Sequence, residues 1–334
     1  MTAGIAEPMR LAMGASVASP VVVRSGRERR SGAGIRPVSA KRPMMGGHVA
    51  LSVIDDRPMH QRTRSADRVL DRVAAWAARL TRFEASSELS RLNAADVAEV
   101  PIRPTLAAVL DWAREAEGMT DGLVDVAMLD ARIAAETGDA VTRPLPASRR
   151  WSVRRGPRGS TVIREPGVRF DLDGVAKSWL ADRALDLTPG RSVIVDGDGD
   201  IAIRVAGDDS WAIGIEDPRT PDGLLATLVL RADGARVRFG LATSGTSVHR
   251  WLHRGRQVHH LIDPWTWQPA ETDVVQATVL ASSARVAEAF AKVAVIAGSE
   301  RAFELLDRPG VDGLLLLTDR GEIRATGSMV RWLA

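Results

Sequence analysis

The apolar positions along the chain change period partway through. "RSADRVLDRVAAWAARLTRFEA" and "RPTLAAVLDWAREAEGMTDG" repeat them at helical spacing, so the first half predicts two amphipathic helices, the second opened by Pro104 and Thr105 and closed by Gly122. "MMGGHVALSVID", ahead of them, alternates as a strand, and "SSELSRLNAAD" between them reads as a polar loop. Later the text breaks at Gly into short alternating pieces. "WSVRRGPRGSTVIREPGVRFDL" predicts a hairpin and "RSVIVDGDGDIAIRVAG" a strand, tight turn and strand. "SWAIGIEDP", "LLATLVLRAD", "RVRFGLATS", "VHHLID" and "TDVVQATVLA" predict single strands, and "GLLLLTDRGEIRATG" a closing hairpin. Two further helices are predicted, over "GVAKSWLADRALDL" and "LASSARVAEAFAKVAVIAG". Helices early, strands late and no regular βαβ alternation predict an α+β fold: antiparallel or mixed sheets with packed helices, in one large domain, whole or divided into two lobes.

Residues 1–43 mix Gly, Pro, Ser and Arg without sustained periodicity, which predicts a disordered N-terminal extension before a domain over 44–334. Its "LAMGASVASPVVV" contains Pro20 and lacks a strongly basic lead-in, so it falls short of a secretory core. No later run approaches the roughly 20 apolar residues of a spanning helix, and a cytoplasmic protein without a membrane span is expected. The 334 residues are 45% hydrophobic, enough for a sizeable core, and the formal net charge of +3 gives no reason to expect nucleic-acid binding. With no cysteine, thiolate chemistry and Cys-based metal sites are excluded, so any metal must sit on oxygen or nitrogen.

Several polar islands interrupt this pattern. "VDGDGDIAI" serves either as a plain hairpin connection or as a place where Gly197 and Gly199 let backbone N–H groups approach a phosphate or a flavin. In "RFDLDGVAKSWLADRALD", Asp171 or Asp173 can cap the helix, or the helix mouth and Lys177 together can hold an anion such as a pyrophosphate. His259, His260 and Asp263 stand together near a turn, where a histidine can serve as general base. Ser244 lacks the strand-to-helix elbow of a hydrolase nucleophile.

From Met45 onward the order of these islands resembles the FAD:protein FMN transferase family, also called ApbE-like. "MMGGHVALSV" is similar to the family's Met-Gly-Thr strand, "SSELSRLN" to its Ser-x-Leu-Ser-x-x-Asn stretch, and "TDGLVDVA" to its Asp-Gly-x-x-Asp turn. "DLDGVAKSWLAD" resembles its Asp-Leu-Gly-x-x-Ala-Lys-Gly helix start and "VDGDGDI" its Asn-x-Gly-Gly-Asp-Ile hairpin, while "ATSG" and "HHLIDP" match almost letter for letter. The resemblance implies an enzyme that binds FAD as substrate and, with Mg2+, moves FMN onto a Thr or Ser hydroxyl of a flavin-acceptor protein, releasing AMP. It implies His260 as the base and Met45, Val124, Asp125, Asp171, Lys177 and Ile262 as FAD contacts. Gly174, through its carbonyl, and Glu288 are the implied metal ligands. A FAD-binding protein with lost or altered transfer activity, and a FAD pyrophosphatase releasing FMN and AMP, are the alternatives.

Two departures bear on that chemistry. Asp196 and Asp198 put carboxylates where the family's hairpin carries Asn and Gly. In the last long helix the family reads Ala-Asp-x-x-x-Thr, with the Asp and Thr as magnesium ligands, and this chain has Glu288 and Lys292. Arg285, Glu288 and Lys292 share one helical face opposite the apolar Val286, Ala289, Phe290, Val293 and Ala297, which by itself reads as an exposed ion pair contributing about 0.2–0.5 kcal/mol. At a metal site the pair reads differently, because a protonated lysine has no lone pair to offer. Either Lys292 points away and Glu288 with Gly174 still holds Mg2+, or the ammonium sits in the ion's place.

Overall fold

The computed structural model describes residues 21–24, 37–137, 149–157, 159–234, 236–247, 250–253 and 256–334. In chain order the first half contains β1 (Val21–Arg24), β2 (Val38–Met44), β3 (Gly47–Ile54), α1 (Met59–Leu80), α2 (Glu88–Ala94), β4 (Glu99–Ile102), α3 (Pro104–Met119) and α4 (Leu129–Thr137). There follow β5 (Trp151–Gly156), β6 (Gly159–Arg164), α5 (Ala176–Leu187), β7 (Ser192–Asp196), β8 (Ile201–Arg204), β9 (Ser210–Glu216), β10 (Leu224–Arg231) and β11 (Arg238–Gly245). The last third holds β12 (Arg250–His253), β13 (Arg256–His259), β14 (Ile262–Asp263), β15 (Gln268–Pro269), β16 (Val274–Ala281), α6 (Ala284–Ala297), α7 (Ser299–Leu305), β17 (Val311–Thr318), β18 (Ile323–Ala325) and α8 (Gly327–Val330).

The frame is one eight-stranded sheet in the order β18-β17-β16-β11-β8-β7-β3-β2, with every pairing antiparallel. Alternate residues of its strands enter two different cores, as the twofold period of a strand requires. Leu51, Val195, Ala242, Val279 and Leu316 point into the larger core, shared with Leu70, Leu110, Leu180 and Phe290 of the helices. Ile194, Ile203, Leu241, Leu280 and Leu315 point into the other, closed by Trp211 and Ile213 of β9, Leu228 and Leu230 of β10, and Trp332. The α+β expectation holds. The small sheet β4-β6-β5 packs Ile102, Val162 and Trp151 into the larger core as well, so the fold is a single domain.

Three sequence expectations need correction. Residues 38–43, assigned to a disordered tail, belong to the edge strand Val38–Met44 of the large sheet: Val38 is buried, and Arg42 pairs with Asp67 of α1 at 2.8 Å. Val21–Arg24 pairs with β9, and the remainder of the expected tail, 1–20 and 25–36, lies outside the described residues. "SSELSRLNAAD" contains a helix, because Ser87 accepts the N–H of Ser90 at 2.9 Å as an N-cap and buries Leu89 and Leu92 beneath the turn. The "VHHLID" strand is broken: β13 ends at His259 and β14 begins at Ile262, leaving His260 and Leu261 between them. Among the described residues no helix is long and apolar enough to cross a membrane.

Gly240 of β11 marks the tightest junction. A Cβ there would lie 1.9 Å from the backbone carbon of Ser283, so sheet and α6 meet only because the side chain is missing. Gly240→Ala is expected to lower stability by about 3 kcal/mol or more in urea unfolding. Gly118→Ala, at an exposed position of α3 with nothing within 4 Å, is expected to gain up to about 1 kcal/mol by the same measurement.

Candidate active site

The site is built on α6. Ser283 caps it, accepting the N–H of Val286 at 3.3 Å, and Asp182 of α5 reaches across to do the rest. Its Oδ1 accepts from the Ala284 N–H at 3.1 Å, and its Oδ2 from the Arg285 N–H at 3.1 Å and Arg285 Nε at 3.0 Å. A carboxylate on the free N–H groups of a helix start is favourable both as a cap and against the helix dipole. It also fixes the two helices in register. One turn back on α5, Ser178 therefore faces Glu288, and its Oγ donates to Glu288 Oε2.

Glu288 is 4% exposed, so the solvated-pair reading of this helix face fails. Its other oxygen, Oε1, accepts from Lys292 Nζ at 2.5 Å. The same ammonium donates to the carbonyl oxygen of Gly174, in the loop before α5. A Cβ on Gly174 would lie 2.7 Å from Nζ, so this glycine makes the room that the ammonium fills. The structure thus brings Gly174 and Glu288 together, and it places Lys292 between them.

As arranged, these residues do not fit a magnesium ion. The two oxygens expected as ligands are both committed to Nζ, and Glu288 Oε2 is committed to Ser178. Among the described residues no group of three or more His, Asp or Glu side chains could hold a metal. Magnesium asks for near-octahedral oxygen ligation at about 2.0–2.1 Å. An ammonium even 4 Å from a divalent ion would oppose it by roughly 8 kcal/mol at an effective dielectric of about 20.

Beside this cluster stands Lys177, in the first turn of α5. Its Nζ lies 3.6 Å from Asp198 Oδ2, while Asp198 Oδ1 is 3.3 Å from Nδ1 of His48. Burial is the largest influence on the Lys177 ammonium and pulls it down, but Asp200, Asp198, Asp173 and Glu288 together hold it above its usual 10.5. Asp198 takes a left-handed conformation, φ 66°, and its carboxylate lies against Gly47, where a Cβ would come within 2.2 Å of Oδ2. Met45 precedes this contact in a tight turn, φ 53°, partly buried against the larger core. The "VDGDGD" segment is the hairpin connection between β7 and β8. Its glycine N–H groups are used internally, Gly199 on Asp196 Oδ1 at 2.8 Å and Gly197 on the Asp200 carbonyl at 2.9 Å, so they are not directed at a phosphate.

A second set of predicted residues is joined to the first through Asp171–Gly174. The expected N-cap is absent: α5 starts after Val175 without a side-chain cap, and Asp171 Oδ1 instead accepts the Asp173 N–H at 3.1 Å. The Asp171 N–H donates to the Val126 carbonyl at 2.8 Å, placing the Asp125 turn alongside. Asp125 accepts from the Ala127 N–H at 2.7 Å and pairs with Arg149 at 2.9 Å, and Arg149 in turn donates to the Pro264 carbonyl at 2.5 Å. Burial nonetheless keeps the Asp125 and Asp171 carboxyls above their usual range. Val124 is buried, its N–H on Thr120 Oγ1 at 3.1 Å.

His260 is tied to the same neighbourhood by its backbone. Its carbonyl accepts from Arg132 Nη1 at 2.8 Å, Arg132 pairs with Glu136 at 2.6 Å, and Glu136 pairs with Arg82. Arg82 Nε lies 3.7 Å from carboxylate oxygens of both Asp171 and Asp173. Adjacent His259 has a structural role. Its Nδ1 accepts the Leu261 N–H at 3.2 Å, so the proton is on Nε2 and donates to the Ala270 carbonyl at 3.0 Å. Ile262 pairs with Pro269, and Asp263 closes the following turn by accepting the Trp265 N–H at 2.8 Å. Sequence reasoning missed Arg82, Arg132, Glu136, Arg149, Ser178 and Asp182. For Ser178 and Asp182 a signal existed, since both fall in the otherwise apolar stripe of α5.

Asp200 is buried with them, and burial, reinforced by Glu288, pushes its carboxyl well above its usual 3.8 against the pull of Lys177 and Lys292. The folded state therefore binds this proton more tightly than the unfolded chain. Its contribution to stability is fully present below 3.8 and is lost as pH rises through the higher folded value. Asp200→Asn is expected to be more stable than wild type in urea unfolding at about pH 7, with the difference shrinking toward about pH 4.

Comparison with known proteins identifies the family. The family model described as ApbE family matches residues 45–315. A FAD:protein FMN transferase of Rhodobacter capsulatus is 31% identical over 264 residues, covering 73% of this chain and 49% of the relative. The corresponding protein of Treponema pallidum (strain Nichols) is 31% identical over 195 residues, covering 54% and 52%. The chain thus spans about half the length of these curated relatives. The crystal structure of the ApbE protein from Thermotoga maritima shares the fold, with a TM-score of 0.73 at 20% identity over 90% of this chain and 100% of that one. With the family model spanning most of its length, the chain belongs to the ApbE family.

Proposed function

We propose that the protein is a FAD:protein FMN transferase. One observation carries the reading: segments far apart in sequence, around Met45, Asp125, Asp171–Lys177, Asp198, His260 and Glu288–Lys292, are joined by hydrogen bonds and ion pairs into one region of the fold. The relatives named as FAD:protein FMN transferases support the same chemistry. In the proposed step a Thr or Ser hydroxyl oxygen of the acceptor protein attacks the phosphorus on the flavin side of FAD. The new P–O bond forms as the pyrophosphate bridge breaks, AMP leaves with the bridging oxygen, and the hydroxyl proton passes to His260.

The residues divide the work accordingly. His260 is the base, held at its backbone by Arg132 at the break between β13 and β14. His259 cannot share that role while both of its ring nitrogens are bonded to backbone. Met45, Val124, Asp125, Asp171 and Ile262 shape the FAD site, and Lys177 supplies positive charge to the pyrophosphate, for which it must exchange Asp198 for the phosphate oxygens. The partner is an acceptor protein carrying the Thr or Ser. The cytoplasmic setting expected from the sequence belongs to the same proposal, and cell fractionation reads it.

Incubating the pure protein with FAD and an acceptor that carries the family's target motif is expected to yield acceptor heavier by one FMN in intact mass spectrometry, with AMP released in equal amount. His260→Ala is expected to slow transfer by about 10²–10⁴-fold while FAD affinity stays unchanged. FMN and AMP appearing at the same rate without acceptor would favour a pyrophosphatase. Tight FAD binding with no transfer to any acceptor would contradict the proposal.

A further inference from the structure

We propose that Lys292 is a built-in cation: its ammonium takes the place of a divalent metal at the phosphate end of the FAD site, so that FAD binding and FMN transfer do not require Mg2+. The inference rests on the transferase reading for its ligand, but its core is the contact geometry of Lys292. The Lys292 side chain is 15% exposed, and its Nζ lies in contact with the Gly174 carbonyl and Glu288 Oε1. Those are the two oxygens that a metal would otherwise take.

The charges close around it. Without Lys292, the buried carboxylates of Glu288 and Asp200 would share Lys177 with Asp198 and Asp173. Lys292 adds a second fixed ammonium to this cluster, set directly on Glu288. The cradle is also shaped for an ammonium. Nζ has three donors in a tetrahedral fork, two of which are used on Gly174 and Glu288. The third is left for a phosphate oxygen, giving a charge-assisted hydrogen bond where a metal would give a coordinate bond. The glycine at 174 and the serine at 178 complete the fit: one leaves the space that Nζ occupies, and the other holds the far oxygen of Glu288 so that its near oxygen faces the lysine.

The test uses the full chain, freed of metal with EDTA and desalted, and two readouts that do not depend on turnover. In the first, FAD affinity is measured by flavin fluorescence with EDTA and with excess Mg2+. Wild type is expected to bind equally well in both, whereas Lys292→Thr loses about 10–100-fold in EDTA and recovers with Mg2+. In the second, Mn2+ binding to the FAD-free protein is followed by electron paramagnetic resonance. Wild type is expected to leave Mn2+ in solution, and Lys292→Thr, with a hydroxyl in place of the ammonium, to bind it. Transfer to an acceptor by wild type is expected to persist in EDTA.

Mg2+-dependent FAD binding or specific Mn2+ uptake by wild type would overturn the inference. So would a Lys292→Thr protein that melts at a lower temperature yet binds FAD as wild type does in EDTA, since the lysine would then serve only to join α5 and α6. Lys292→Met, which keeps the length of the side chain without the charge, provides the same affinity comparison if the threonine variant fails to fold. A wild type that binds no FAD with or without metal would sink the transferase reading itself, and the Mn2+ comparison would still decide whether Lys292 excludes the dication.

Discussion

Glu288 is the constraint on which the rest of this site depends. A carboxylate buried to this degree is tolerated only if its oxygens are matched, because removing one partner from a buried ion pair typically costs about 3–5 kcal/mol. Here one oxygen is matched by Ser178 of α5 and the other by Lys292 of its own helix, which extends the contact to the Gly174 carbonyl. Two stretches of chain, 174–178 and 288–292, are therefore held in register by this buried pair. The first of them carries Lys177, at the phosphate end of the proposed FAD site, and Asp171 lies just before it.

The scaffold allows this because it brings α5 and α6 together before the charges are considered. Both helices lie on the same face of the eight-stranded sheet, packed over Val195, Ala242 and Val279. Gly240 lets the start of α6 settle directly onto β11, and Asp182 locks that start to α5. The second chain of contacts, from Asp171 and Asp173 through Arg82, Glu136 and Arg132 to the His260 carbonyl, carries the positional information onward to the base. Such networks are costly to leave half satisfied, which gives the site its definition.

Much of the fold was legible in the sequence, and for identifiable reasons. The periods of α1, α3, α5 and α6 and of the late strands are strong, and each closes on a face that the structure buries. What was missed was decided by tertiary contacts. "SSELSRLN" looks mostly polar, yet Asn93 lies part-buried and exchanges two hydrogen bonds of 2.8 Å with the backbone of Phe170, so its polarity is spent inside the fold. Val38–Met44 is short and interrupted by charge, as befits an edge strand, and it becomes a strand by pairing with β3. Glu288 and Lys292 carry the same lesson for function. At i and i+4 they look like a surface pair, and only the approach of Gly174 and Ser178 from another helix shows that they are not.

The central claim is that an ammonium, held by Gly174 and Glu288, occupies the position that a metal would take. The most direct measurement is the anomalous difference map of crystals grown with FAD and soaked in Mn2+. The account predicts no manganese peak between the Gly174 carbonyl and Glu288, with Lys292 Nζ in hydrogen-bond contact with both and directed at a FAD phosphate. A manganese peak on those two oxygens, with the Lys292 side chain turned away from them, would contradict it.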